Sequence, residues 1–367
     1  MAQANHMLAL TIAATVHISV LGSFHPVQFE LQPAQGQTLV VESQGRTEVL
    51  QGERTMPLNG PAKVAGRNGT MVRFRLAVSG VAPREYLGRL EVLHSGSELL
   101  AIVEMDRESA VAAIVEAEGA AGLPFEARKA QAVVTRSYLA GAHNRHQGFD
   151  FCDTEHCQLL KGLAQPASAA SRAAVATRGQ VLVYKGDVIA ALYSANCGGH
   201  TKSLAQTKWE GAAIPQPGYP YYSVACPLRG KASGHGVGMC QLGAIEIARH
   251  GYPARIILGH YFPGTVIQAA GPAAPRTAPL NRNQISATHA VHQPSKFRVA
   301  HTARPAHIAS AAPVLSSPRT ARAVHTVSAP GAAVALHPPS ASLTRSATLT
   351  ASGALTASVG RGARAAQ

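Results

Sequence analysis

The chain of 367 residues has little of several things that would narrow its class at once. Tryptophan occurs once, aromatic residues make up 5% and charged residues 14%. No run approaches the roughly 18 consecutive apolar residues of a membrane span, so no transmembrane span is expected. The nearest thing to a leader is Met7 to Ala14, but no Lys or Arg precedes it, and a secretory signal opens on a positively charged stretch. Residues 1–15 are therefore an ambiguous apolar segment. Acid is the most unevenly missing group, since every Asp and Glu lies at or before Glu246.

Past residue 270 the chain has nine Arg, one Lys and a single aromatic, Phe297, in a stretch rich in Ala, Ser, Thr and Pro. Ten of the fourteen net positive charges therefore sit in this stretch. Too little apolar area can be buried there to offset an ordering cost of about 1–2 kcal/mol per residue. Residues 271–367 are expected to form a disordered basic tail. Attachment to an anionic polymer or surface and simple solvation both fit its charge, because charge alone does not select a partner.

What remains, residues 16–270, is enough for one large domain or two small ones, with an ample core, and reads as one. Met71 to Val78 alternates apolar and polar side chains, which predicts a half-buried strand. Leu90–Leu93 and Leu99–Val103 flank Ser95, Gly96 and Ser97 as a hairpin would. Asp106 is placed to cap a helix carrying Val111, Ile114 and Val115 at helical spacing and ending near Gly119. Pro124 opens a second helix, Phe125 to about Ala142, with Arg128, Lys129 and Arg136 expected largely outward. A short helix is expected over Ala167–Thr177, a hairpin over Gln180–Tyr184 and Val188–Tyr193, and a last helix over Leu242–His250. Strands and helices mix without a regular βαβ rhythm, so the expected class is α+β, mixed sheets with packed helices.

The five cysteines leave more than one reading open. Cys152 and Cys157 form a C-x4-C pair with His146 six residues upstream, three ligands for a tetrahedral zinc ion, with His156 as an alternative ligand. A short-loop disulfide or two free thiols fit the same spacing. Cys197 and Cys226 have no close partner and can form a second disulfide. Cys240 stands five residues after His235, but Cys–His catalytic pairs are usually assembled from distant segments, so Cys240 reads as a small buried residue.

Four blocks stand in order along the chain: LPFEARKAQAVVTRSY (Leu123–Tyr138), FDFCDTEHCQ (Phe149–Gln158), YSANCGGHT (Tyr193–Thr201) and SGHGVGMCQLG (Ser233–Gly243). Together they resemble the SpoIID/LytB family, the sporulation stage II protein D lytic transglycosylases and related amidase modifiers, from about Val16 to Ile267. The family pattern sets a Glu-Met-Pro eight residues before a Glu-Ala-Leu-Lys-Ala-Gln run. Glu118-Gly119 and Glu126-Ala127-Arg128-Lys129-Ala130-Gln131 keep that interval but lose the Met-Pro. Cys240 replaces the usual Ser, and the segment between Tyr222 and Gly234 is shorter than the family's.

The resemblance implies a SpoIID-like catalytic core that cleaves the MurNAc–GlcNAc bond of peptidoglycan. A lytic transglycosylase lets the muramic acid C6 hydroxyl attack intramolecularly, so one Glu serving as acid and base suffices. A hydrolase normally needs two carboxylates. Glu118 is the first candidate for that role and Glu126 the second. Gln131 and Arg136 are candidates to hold substrate, the Arg136 fork suiting a lactyl carboxylate. Ser194, Gly198, Gly199 and Thr201 are expected to read N-acetyl groups beside the loop carrying His235, Gly236 and Gln241. The resemblance also implies a structural zinc at His146, Cys152 and Cys157, glycan strands as partner and the cell envelope as location, with no specific nucleic acid. The alternative it leaves open is a non-enzymatic, glycan-binding activator of a cell-wall amidase.

Overall fold

The computed structural model describes residues 11–119, 122–142, 145–207 and 218–273. The expected tail, apart from its first three residues, lies outside the described residues. All described residues fall in one unit, Met1–Ser295.

Ten strands pair into one sheet, whose spine runs Phe151–Cys152, Thr15–Val20, Glu98–Asp106, Arg84–Ser95, Ala62–Ala65, Thr38–Ser43 and Arg46–Gln51. Phe29–Pro33, Met56–Leu58 and Val72–Ala77 join it off that path. The expected alternation is realised in Val72–Ala77, where Val72, Phe74 and Leu76 are buried and Arg73 and Arg75 exposed. The expected hairpin is realised too, with Leu93 facing Leu100 and Val92 facing Ala101 across it. Most strands bury one face, and that face forms the core with the helices.

Asp106 ends the sheet and starts helix α1 (Arg107–Glu118), its carboxylate accepting from Ser109 N at 2.9 Å. Helices α2 (Phe125–Gly141), α3 (Ala169–Ala176), α4 (Gln241–Arg249) and α5 (Ala254–Tyr261) follow, and the class is α+β as expected. Helix α2 packs against all four others, and twelve of its seventeen residues are buried. A helix enclosed in this way has little polar face, and here the sequence expectation fails. Arg128 and Arg136, expected outward, are both buried, Arg136 to 0% exposure.

Arg136 is accommodated because every direction it points holds an acceptor. Its Nε and Nη2 donate to Glu108 Oε1 and Oε2 at 2.8 and 2.7 Å, a bidentate pair joining α2 to α1. Its remaining hydrogens go to the carbonyls of Ala132, Ala174 and Gln180. The fork thus stitches α1, α2, α3 and the strand Gln180–Tyr184 together. A bidentate pair of this kind adds geometric specificity that a lysine would not.

The expected strand Val188–Tyr193 is broken. Asp187–Val188 closes a small sheet with Gln180–Tyr184 and Val266–Ala269, whereas Tyr193–Ser194 pairs in parallel with Met239–Cys240. The crossing is tight at Gly238, which has φ of 76°, and a Cβ there would lie 2.0 Å from Leu192 O. Only glycine fits such a position without moving backbone. At the edges of the unit Thr11–Ala13 pairs in parallel with Gly271–Ala273. Among the described residues no helix is long and apolar enough to cross a membrane.

Removing one partner of a buried ion pair leaves the other uncompensated, at a cost of about 3–5 kcal/mol. Glu108→Ala should therefore lose about that much in a urea melt, while a paired apolar replacement, Glu108→Leu with Arg136→Met, should lose much less. A loss under about 1 kcal/mol for Glu108→Ala would contradict the stitching role.

Candidate functional site

Glu118 is the last residue of α1, the end where a carboxylate is opposed by the helix dipole. It is nevertheless half-buried rather than turned to solvent. Two donors from distant parts of the chain meet its Oε1 at 3.0 Å, the Leu159 backbone N–H and the Tyr193 hydroxyl. The amide of Gln241, the first residue of α4, also bonds to it. Burial pushes the Glu118 carboxyl above its ordinary value and the Glu155 charge adds to this, while these hydrogen bonds act the other way without cancelling it. Burial also pushes the Tyr193 hydroxyl well up, and the Glu118 charge adds to it. Tyr193 therefore stays a neutral donor.

A line of amides runs behind the acid. Gln241 Nε2 reaches Gln131 Oε1 at 3.5 Å, and Gln131 Nε2 reaches Thr135 Oγ1 at 3.4 Å. Glu118, Gln131 and Gln241, expected in one site, are thus brought together. Ser194 follows Tyr193, and its buried Oγ has no partner among the described residues.

Other expected site residues are placed differently. Glu126 turns away from Glu118: its Oε2 accepts from Ala254 N at 2.8 Å, capping α5, and its carboxylate pairs with Lys129 at 2.9 Å. Burial would raise its pKa, but the Ala254 amide and Lys129 outweigh that and hold it below the usual glutamate range. Arg136 is committed to Glu108, as above. Thr201 Oγ1 bonds Tyr222 O and Val224 N, Gly199 O accepts from Cys226 N, and Gly198 N donates to Asn196. Thr201 and Gly199 thus tie their loop to the segment at 222–226, and Gly198 closes a turn within the loop. Gly236 O accepts from Lys202 N at 2.8 Å.

His235 connects the glycine loop to the acid. Its Nδ1 accepts from Val237 N at 3.0 Å, and its ring also bonds to the Tyr193 backbone, whose side chain bonds Glu118. Burial pulls the imidazole down to about 4, against the pull of the Tyr193 bond. It is neutral at physiological pH and positions Tyr193 rather than carrying charge.

His146, Cys152, His156 and Cys157 place one donor atom each within 4.8 Å of one another. His146 Nε2 lies 3.2 Å from Cys157 Sγ, and His156 Nδ1 lies 3.6 Å from both Cys152 and Cys157 Sγ. Tetrahedral zinc with Zn–S near 2.3 Å and Zn–N near 2.0–2.1 Å has S···N edges of about 3.6 Å. The donor set fits such an ion, with His156 joining the three expected ligands rather than replacing one. Both cysteines are unpaired thiols. The cluster's loop is fastened below by Asp153, which accepts from Leu21 N at 3.0 Å and Arg84 at 2.9 Å. Above, the chain leaves Cys157 and two residues later presents Leu159 N to Glu118.

The sequence pattern did not single out Tyr193 or Leu159 as partners of the acid. Tyr193 lay inside a quoted block, but nothing in that block marks its hydroxyl as the donor. The bond from Leu159 is made by backbone, which no side-chain pattern reveals.

The α+β fold thus sets one desolvated carboxyl group, Glu118, at a helix junction, with a His/Cys cluster on the loop that supplies one of its donors. Residues 95–184 match the model of the SpoIID family, stage II sporulation protein. The match spans α1, α2, the His/Cys loop and Glu118, and it ties the chain to the cell wall. An uncharacterized protein of Brachyspira hyodysenteriae is 34% identical over 139 residues, covering 36% of this chain and 37% of that protein. The chain thus spans a little over a third of that relative's length.

In a pH titration followed by NMR, the His235 ring should titrate near 4, against about 6.5 for an ordinary histidine. Because the folded-state value is depressed, the unfolded chain takes up the proton first. This group's contribution to stability is therefore present above pH 6.5 and lost as pH falls towards 4. A midpoint at or above 6 would contradict the half-buried, backbone-bonded imidazole.

Proposed function

We propose that the protein is a lytic transglycosylase that cleaves the MurNAc–GlcNAc bond of peptidoglycan, with Glu118 as the single general acid and base. The observation that carries this reading is the environment of Glu118, half-buried, raised in pKa, and bonded on Oε1 by Leu159 N and Tyr193 Oη. Both of those donors use Oε1, so Oε2 is the oxygen suited to hold the acid proton. A carboxylic acid raised by an apolar setting is the group that protonates a glycosidic oxygen near neutral pH.

Balanced in atoms, the reaction needs no second carboxylate. Glu118 Oε2–H gives its proton to the leaving oxygen as the glycosidic bond breaks. The resulting carboxylate then takes the proton of the muramyl C6 hydroxyl, whose oxygen bonds to the anomeric carbon. The product is a 1,6-anhydro sugar, and Glu118 is protonated again. Tyr193 and Leu159 stabilise the intermediate carboxylate, which keeps the acid strong enough to give up its proton.

Glu126 takes a capping and ion-pair role in this reading. The His/Cys cluster holds a structural zinc through His146, Cys152, His156 and Cys157, whose chemistry is to fix the loop that delivers Leu159 N. Gln131, Gln241 and Ser194 line the acid's surroundings as groups for the sugar amides. A cell-envelope location and glycan strands as partner follow from the same reading.

The test is mass spectrometry of peptidoglycan digested by the full chain. Release of 1,6-anhydromuramyl products is expected, with a loss of about 100-fold or more in Glu118→Gln and a mild effect in Glu126→Gln. Reducing-end products alone would mean a hydrolase. Glycan binding without release would mean the non-enzymatic amidase-activator role instead. A larger loss in Glu126→Gln than in Glu118→Gln would reverse the assignment.

A further inference from the structure

A second cluster of metal-binding side chains lies apart from the His/Cys loop and is used by no step above. Cys197, Cys226 and Cys240 are all buried, and their sulfurs lie within 4.8 Å of one another. They come from three separate segments: the glycine block after Ser194, the stretch that pairs with it at 225–226, and the residue that caps α4. Three thiolates around one cation at about 2.3 Å stand roughly 3.8–4.0 Å apart, inside that spread.

The surroundings are built for sulfur rather than for packing alone. Cys240 Sγ accepts from Cys197 N at 3.3 Å and from Gly243 N at 3.4 Å, two donors aimed at one sulfur. Tyr261 Oη lies 3.3 Å from Cys226 Sγ, adding an oxygen donor from α5. At Gly243 a Cβ would fall 2.1 Å from Tyr261 Oη and 2.3 Å from Cys226 Sγ. Residue 243 must therefore be glycine for the thiol and hydroxyl to converge here. Three soft sulfurs with one oxygen suit a thiophilic cation such as zinc(II) or copper(I), not a hard one.

We propose that Cys197, Cys226 and Cys240, with Tyr261 as fourth donor, bind a thiophilic metal ion at the N-terminus of α4. Each ligating thiol releases its proton to solvent, and no electron changes hands. The ion would join the glycine block, the 225–226 stretch, α4 and α5. It would thereby fix Gln241, the residue after Cys240, against Glu118.

The test is metal content of the full chain, purified with reductant, stripped, and reloaded separately with zinc(II) and, anaerobically, with copper(I). Wild type is expected to hold about one equivalent more than Cys240→Ser, and the same difference is expected for Cys197→Ser. Cobalt(II) should give a thiolate charge-transfer band that these variants lose in part and Tyr261→Phe shifts. Circular dichroism on each variant separates loss of metal from loss of fold, and the wild-type cobalt spectrum stands even if a variant does not fold. The His/Cys loop is scored separately through Cys152→Ser, so either site can fail without the other. Equal metal content in wild type and both folded variants, with either ion, would overturn the proposal. So would a disulfide among the three thiols that persists in place of metal uptake.

Discussion

The constraint on which the rest depends is the enclosure of one carboxyl group. Glu118 ends a helix, where its charge is opposed by the dipole, and burial makes that charge costlier still. Such a group is tolerated only if donors meet it, and the donors come from far along the chain. Leu159 is 41 residues away and Tyr193 is 75 residues away. Placing these two at 3.0 Å sets demands on nearly every later segment. The His/Cys loop must end at the right height, the strand Tyr193–Ser194 must lie beside Met239–Cys240, and the glycine loop must hold His235 under Tyr193.

Helix α2 is the mast that makes these demands compatible. It is surrounded by four helices, and several of its buried polar groups are bonded within the frame. Ser137 Oγ, for example, accepts from Leu182 N at 2.8 Å and donates to Val133 O. Arg136 serves four elements from one fork. Tyr138 packs its ring 5.6 Å from Phe151, beside the His/Cys loop. The polar residues of α2 are thus mostly framework, and the enclosed carboxyl group to which we assign the acid–base role belongs to a neighbour at the end of α1.

The sequence made some of this legible, for physical reasons that can be named. Alternation in Val72–Ala77 and the turn at Gly96 follow from local geometry, so those elements were found where expected. The eight-residue interval between Glu118 and Glu126 marked two glutamates but not which was enclosed. That choice rests on Ala254 N capping Glu126 from 128 residues away. Arg136 was read outward because helical periodicity assumes one solvent face, and α2 has almost none. His156 stood one residue before Cys157, too close in sequence for ligand spacing alone to include it with His146. Tyr193 was hidden for a similar reason, since a strand's alternation says which way a side chain points and not what its hydroxyl meets.

The central claim is that Glu118 is a desolvated acid held by Tyr193 and Leu159, and its carboxyl can be titrated directly. Carbon-13 NMR of labelled glutamate, assigned by comparison with Glu118→Gln, reports the value in the folded full chain. The account predicts titration above the ordinary glutamate value of about 4.3, rising further in Tyr193→Phe, where a donor to the charged form is lost. A Glu118 value at or below the ordinary one, or one unmoved by Tyr193→Phe, would contradict it.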